Sequence, residues 1–541
     1  LGFSQAASNK IVSPEHAGKF GHLIVQTYDG RFEPIHTLAF DVMHKISRKD
    51  KFDAELKGGT VDAMQVFIDL IIDPTYWKSQ KIIYVREKSV QKVLGTDGYA
   101  SFNDFFDKDF HYKLADYTEA AFRKNPAKQN VFDKDIIKVN ERINLFLSLF
   151  QGTMLKIFPA QYSKNNLWLN YDDTLARMPL TGSMSIINDD LQLKVFSYSN
   201  LFDLYFQTVY EALQTNDYTK ADKLVEYIEN IQRESTSGPI LPSKSQVKYE
   251  IYYNKAKIFE NLRNVYGVLS IIMLFLAFIE NLRSKKSKWI RITLNVFIAV
   301  LGIAFLCHTW GMGLRWYLTG HAPWSNAYEA LLLVAWGGIL AGFCFMRNSK
   351  ITLAATVLLA FAMLMTAGHS SYDPQLTNLQ PVLKSYWLIL HVAAITISYG
   401  FLGLSFVLGL MNMVIYLFKS KANNERLDLL IKELTFINEM NLEIGLFLAT
   451  IGTFLGGVWA NVSWGRYWGW DAKETWALII VVAYAIILHF RLVPKLKGKF
   501  IFNVSSIIGF GSVLMTFIGV NYYLSKGLHS YGAGDTPIFP V

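Results

Sequence analysis

LEIGLFLATIGTFLGGVWANVSWGRYWGWDAKETWALIIVVAYAIILHFRLV, residues 442–493, decides how this chain folds. Two apolar runs, 442–462 and 475–493, enclose a stretch from Trp459 to Trp476. That stretch holds five of the chain's 13 tryptophans. Each run is close to the roughly 20 helical residues that cross a hydrocarbon core. The tryptophan-rich stretch, 459–476, is then a loop at a membrane surface. Isolated Trp and Tyr at helix ends form an interfacial belt. This density, with Gly465 and Gly469 permitting close backbone approach, favours a platform for a large flat ligand.

Outward from this loop, six further apolar stretches lie near 264–281, 289–318, 328–346, 351–367, 387–418 and 501–524. Only helices satisfy their own backbone hydrogen bonds in lipid at these lengths. The expected fold is a polytopic α-helical membrane protein of about eight spans, with a mixed, helix-rich domain outside the membrane. That domain, residues 1–263, has ordinary charge density. Residues 264–288 form a linking span and a basic loop, and residues 289–541 carry the remaining spans.

Basic residues set the orientation. Arg283, Lys285, Lys286, Lys288, Arg347, Lys350, Lys419, Lys421, Arg426, Lys432, Arg491, Lys495, Lys497 and Lys499 fall in one set of alternate loops. The other set carries only Lys384, Arg466, Lys473 and Lys526, with Arg315 near a helix end. The first set is expected to be cytoplasmic. The first domain, the tryptophan loop and the C-terminal tail then share the external face. The net charge of +9 partly reflects the cytoplasmic loops and gives no reason to expect nucleic acid as a partner.

The two cysteines, Cys307 and Cys344, both lie in apolar runs and form no C-x-x-C or C-x-x-C-H. Thiol-redox and zinc motifs are absent, as is a covalent haem attachment site. The chain opens on Leu1 without a signal segment, so a preceding N-terminal part is expected.

In the first domain, helical patterns appear near 60–72, 133–151, 190–214, 218–234 and 244–263, with β-rich runs at 81–85 and 155–158. Gly30 to Thr37 reads as a turn leading into a helix, and Ser235 to Pro239 as a breaker. His22, His36, His44 and His111 are scattered, and no catalytic motif stands out. A docking or structural role suits this domain.

Ionisable side chains within a bilayer are costly and often functional. His391 lies one helical turn into the fifth span and His529 just past the last, both at the level of the tryptophan loop. An interhelical hydrogen bond accounts for either alone. The pair together with the loop suggests axial ligation of haem iron against tryptophan faces. His489, near the cytoplasmic end of the seventh span, is either a snorkelling residue or a ligand at a second, deeper site. Asp471 and Glu474 read as a capping box opening the seventh span. Ser325 or Asn326 caps the third span, with Glu329 in its first turn. His308, His321 and His369 have sufficient structural explanations.

W-G-R-Y-W-G-W-D-A-K-E-T-W (464–476) resembles the "WWD" signature of haem-handling membrane proteins. G-H-A-P-W-S-N-A-Y-E (320–329), L-Q-P-V-L-K-S-Y-W-L-I-L-H-V (379–392), Y-A-I-I-L-H-F-R (484–491) and G-L-H-S-Y-G (527–532) resemble the same branch. Together they are similar to the system II cytochrome c synthases of the fused CcsBA type, in which a ResB-like part precedes a CcsA-like part. The CcsA-like match covers about 289–535. The ResB-like match rests on V-Q-T-Y-D-G-R-F-E-P-I-H-T (25–37) and the single span that follows.

The resemblance implies a cytochrome c haem lyase in the bacterial inner membrane with its site facing the periplasm. Such an enzyme binds and exports haem b and attaches it by thioether bonds to C-x-x-C-H of apocytochrome c. External thiol reductants are a candidate further partner. His391 and His529 match the two external haem ligands, and His489 matches one ligand of a site within the membrane. Trp459, Trp464, Trp468, Trp470 and Asp471 match the haem-facing loop. Two departures stand out. Ala472 replaces the family's Pro, and the early spans that carry the partner of His489 are missing. A haem exporter or chaperone without ligase activity, as in system I, is the alternative. A structural membrane protein with a tryptophan belt is a third reading.

Overall fold

Two units divide the chain near Lys255, earlier than the expected boundary at 263. The computed structural model describes all residues except 1–9, 55–56, 58, 125–127, 161–165, 181–186, 189–192, 196, 236–240, 284–286, 347–348, 370–371, 373, 380–382, 420–423, 523 and 525–541.

The first unit packs amphipathic helices around one aromatic-rich core that includes Phe20, Phe67, Trp77, Phe146 and Tyr205. Its strands form only two-stranded antiparallel ribbons among the described residues. Helix Ala63–Ile72 is entirely buried and begins with a capping box between Asp62 and Gln65. Asn130 and Asp133 form a second box at the start of Val131–Phe150. Both boxes satisfy N–H groups that a helix start leaves open. The expected helices near 190–214 and 218–234 are Tyr198–Thr215 and Thr219–Ser235.

The segment around Gly30 forms a hairpin, pairing Ile24–Gln26 with Phe32–Pro34, before helix Ile35–Ser47. Arg31 in its turn is buried and pairs with Glu33 and, at 2.6 Å, with Glu250 of helix Lys244–Ala256. Thr37 Oγ1 donates to the same Glu250 oxygen across 2.9 Å. The quoted motif thus ties the start of this unit to its last helix. Lys57 is buried between Asp69 at 2.7 Å and Asp73 at 2.9 Å, and Trp77 Nε1 donates to Asp69. His16, not singled out from the sequence, is buried between Asp222 at 2.7 Å and Tyr205 at 3.0 Å. Burial, reinforced by Lys255, lowers the His36 imidazole to about 4.

Among the described residues, eight helices are long and apolar enough to cross a membrane. They are Ile258–Leu282, Lys288–Thr319, Ala327–Phe345, Lys350–Ala367, Tyr386–Leu417, Asn424–Trp464, Ala472–His489 and Lys499–Leu514. The last continues as a π-helical turn, Met515–Gly519. The protein is a multi-pass helical membrane protein. The sixth span differs most from expectation. It begins at Asn424 instead of 442 and carries Trp459 to Trp464 on the helix. The loop itself is therefore only 465–471.

Near the end of the bundle that bears the basic loops, the fifth, sixth and eighth spans share a buried amide cluster. Asn503 Oδ1 accepts from Asn412 Nδ2 at 2.8 Å and from Asn438 Nδ2 at 3.0 Å. Asn503 Nδ2 donates to Thr435 Oγ1 at 2.8 Å. In lipid, where apolar packing gains little from excluding water, such bonds fix which helices meet.

Candidate functional site

The opposite end of the bundle encloses a cavity of about 260 Å³. Its walls come from the starts of the third, fifth and seventh spans, the ends of the sixth and eighth, and the loop 465–471. His391, Trp459 and Trp468 line it, so three of the residues expected at a haem site meet here.

His391 is seated by an absence of side chains on the sixth span. A Cβ on Gly456 would stand 2.6 Å from His391 Cε1, and one on Gly452 would meet Ile395 at 2.6 Å. Real Cβ atoms do not approach so closely, so the imidazole occupies space that only glycine leaves. His391 Nδ1 lies 2.6 Å from the Gly452 carbonyl oxygen. A carbonyl can only accept, so Nδ1 carries the proton and Nε2 is the nitrogen with the lone pair. That tautomer is the one a metal-ligating histidine needs, with its second nitrogen anchored on backbone.

The tryptophans divide. Trp459 is 1% exposed and packs edge to face on Trp464, with centroids 4.7 Å apart. Trp464 supports Trp459 without lining the cavity. Trp468 lines it, and its indole Nε1 is buried with no hydrogen-bond partner among the described residues. Trp470 stands outside, 70% exposed and edge-on to Trp468 at 5.8 Å. Its φ of +56° is left-handed, a conformation that bulky residues rarely adopt. The loop's share of the expected platform is therefore Trp468, edge-on to Trp470, while Trp459, packed on Trp464, lines the cavity from the sixth span.

Asp471 caps the seventh span, accepting from Glu474 N at 3.0 Å. The Glu474 carboxylate does not complete a box on Asp471. It accepts instead from Gly469 N at 2.6 Å and so fastens the loop. Glu474 lines the cavity, which its reading as a capping residue did not anticipate, and so does Lys473, which the sequence marked only as a basic residue of the external loops. Thr516 and Phe517, in the π-helical turn, complete the wall. Such turns often mark functional positions.

The loop before the third span forms another wall. Asn326 caps that span, and Glu329 accepts from Ser325 N at 2.9 Å and Ser325 Oγ at 2.8 Å. Glu329 also pairs with Arg315 at 2.6 Å, both fully buried. Arg315 donates onward to the carbonyls of Pro374 at 2.8 Å and Gln375 at 2.7 Å. One guanidinium thus joins the second and third spans to the segment leading into the fifth. Trp324 Nε1 donates to Ile389 O at 3.2 Å, two residues before His391. His321 lines the cavity too, with its ring nitrogens 3.2 Å from Ala322 O and 3.1 Å from Thr377 O.

His489 is at the other end of the seventh span, bonded to Ala485 O at 2.7 Å. Sixteen residues separate it from Lys473, about 24 Å along a helix. His529 lies outside the described residues. His308 is buried beside Tyr266 at 3.3 Å, away from the cavity.

A ring ligand with a metal at its centre fits this donor set: one acceptor imidazole, apolar walls, and a buried indole N–H awaiting an acceptor. Its volume of about 260 Å³ falls just below the range of ligand clefts, about 300–1,000 Å³.

Residues 324–529 match the family described as cytochrome C assembly protein. The chain is 37% identical over 526 residues to Protein NrfI of Wolinella succinogenes, covering 97% of this chain and 55% of that protein. It thus spans little more than half of that relative's length. It is 35% identical over 260 residues to cytochrome c biogenesis protein CcsA of Porphyra purpurea, covering 40% of this chain and 81% of that protein. To CcsA of Guillardia theta it is 30% identical over 298 residues, covering 50% of this chain and 96% of that protein.

Proposed function

The chain belongs to the CcsA-like cytochrome c biogenesis proteins, and we propose that it is a haem lyase. In this reading it presents haem b in the cavity around His391 and joins it to C-x-x-C-H of apocytochrome c. The observation that carries the reading is the His391 tautomer, held by Gly452 in a cavity that Trp468 also lines.

Haem here is substrate. His391 ligates its iron through Nε2, and His529 is the proposed second ligand. Trp468 and Trp459 hold the macrocycle, with Trp464 and Trp470 bracing them and Asp471 shaping the loop. The two apocytochrome thiols add across the two vinyl groups, each sulfur bonding a vinyl carbon while the proton is taken up by the other. No cysteine of this chain takes part. The contribution of the enzyme is orientation of the ring.

The proposed setting is the bacterial inner membrane, with this site on the periplasmic side, opposite the basic loops. The first unit is the proposed ResB-like domain and docks the apocytochrome. The loop 465–471 with its flanks is the proposed WWD element. His489 belongs to a second haem position used during export, and external thiol reductants keep the C-x-x-C-H cysteines reactive.

Co-expression with a C-x-x-C-H apocytochrome in cells lacking other maturation systems tests the activity. Covalent product that disappears with His391→Gly supports the lyase. Bound haem without covalent product would move the assignment to an exporter or chaperone.

A further inference from the structure

We propose that Lys473 is a specificity-determining residue: its ammonium takes a carboxylate on the rim of the cavity's ring ligand, with the Trp468 indole N–H as the accompanying donor. The proposal rests on the haem reading above. It adds a contact at the ring's edge to the iron ligand at its centre.

Histidines apart, only Lys473 and Glu474 among the lining side chains carry a formal charge at neutral pH. Glu474 is committed to the loop through Gly469 N. Lys473 is the second residue of the seventh span and, like Trp468, lines the cavity. Asp471, at the cap, is close enough to act on Lys473 electrostatically. A cation against apolar walls at a membrane boundary is costly, and functional where it occurs. Charge-assisted bonds to a carboxylate are among the stronger ones. The Trp468 N–H is a donor only, and it is buried without a partner among the described residues. An acceptor on the ligand satisfies it. The two donors together select an apolar macrocycle carrying acidic substituents over an equally flat, fully apolar one.

The test compares iron protoporphyrin IX with its dimethyl ester, in which both carboxylates are masked. Each is titrated by Soret absorbance into the full chain in detergent, as wild type, Lys473→Met, Lys473→Arg and His391→Gly. The wild type should prefer the diacid about tenfold, the scale of one charge-assisted hydrogen bond. Lys473→Met should bind both porphyrins alike, and Lys473→Arg should restore the preference. Because the preference is a ratio within one protein, partial misfolding of a variant does not mimic it. Lys473→Met keeping the wild-type preference, or a wild type without preference, overturns the proposal. If His391→Gly still weakens both porphyrins in that case, the haem reading stands alone. If neither porphyrin shows His391-dependent binding, both readings fall.

Discussion

The His391 imidazole donates from Nδ1 to the carbonyl oxygen of Gly452, 2.6 Å away on the neighbouring span. This bond puts a proton on Nδ1, and it ties the ring's position to the packing of two helices.

Gly456→Ala should therefore behave like loss of the ligand. The new methyl would stand 2.6 Å from His391 Cε1, so the ring must leave its seat. We expect haem retention to fall about tenfold or more, comparable to the effect of one axial interaction worth about 1.4 kcal/mol. Gly511→Ala on the eighth span, where nothing lies within 4 Å, should leave retention unchanged. Added imidazole should rescue His391→Gly but not Gly456→Ala, where the new methyl occupies part of the seat and leaves no imidazole-sized vacancy. The Soret band of the purified protein reads all three.

Glu474 separates loop shape from charge. Glu474→Gln keeps an acceptor for Gly469 N, whereas Glu474→Ala removes it. The first should stay within about twofold of wild type in haem retention. The second should lose severalfold, since a hydrogen bond to a charged group is worth about 1.5–3 kcal/mol. Equal loss in both variants would assign the effect to the charge instead.

Much of the fold was legible because lipid demands a long apolar run wherever the chain crosses it. The start of the sixth span was not. Residues 425–439 carry Glu425, Arg426, Asp428, Lys432, Glu433 and Glu439. These charges break the hydropathy signal although the helix runs on without interruption. His391 was legible as an ionisable residue in an apolar run, whereas Gly452 and Gly456 matter only through a neighbouring helix. His321 was hidden by a sufficient local explanation, and Lys473 was counted only as one of the few basic residues on the external side.

Arg315→Met should leave Glu329 as an unpaired buried carboxylate. Breaking such a pair costs about 3–5 kcal/mol, while replacing both members by apolar residues is often near neutral. Thermal unfolding in detergent should show a large fall for Arg315→Met and substantial recovery in Arg315→Met with Glu329→Leu. Haem retention should fall in the single variant and stay low in the double. The carbonyls of Pro374 and Gln375 lose their donors in both.

His36 makes the first unit sensitive to acid. Its folded value of about 4 lies below the ordinary 6.5, so the unfolded chain binds the extra proton between those values. Its contribution is complete above about pH 6.5 and is lost as pH falls towards 4. The wild-type transition, followed by denaturant unfolding, should weaken over that window. His36→Asn should lose less over the same window, because the amide does not titrate.

The sixth span has a mechanical consequence. Its 41 residues form one helix about 60 Å long, with the asparagine cluster towards one end and the seat of His391 towards the other. A stiff rod anchored at both places cannot tilt to widen the cavity without also dismantling the amide bonds at its far end. The loop 465–471 is seven residues with a left-handed tryptophan at its crest, fastened chiefly through Glu474 and Asp471. The cavity thus has one unyielding wall and one compliant wall. In the haem-lyase reading proposed above, the ring would pass most cheaply by the tryptophans, which would make them a gate as well as a surface.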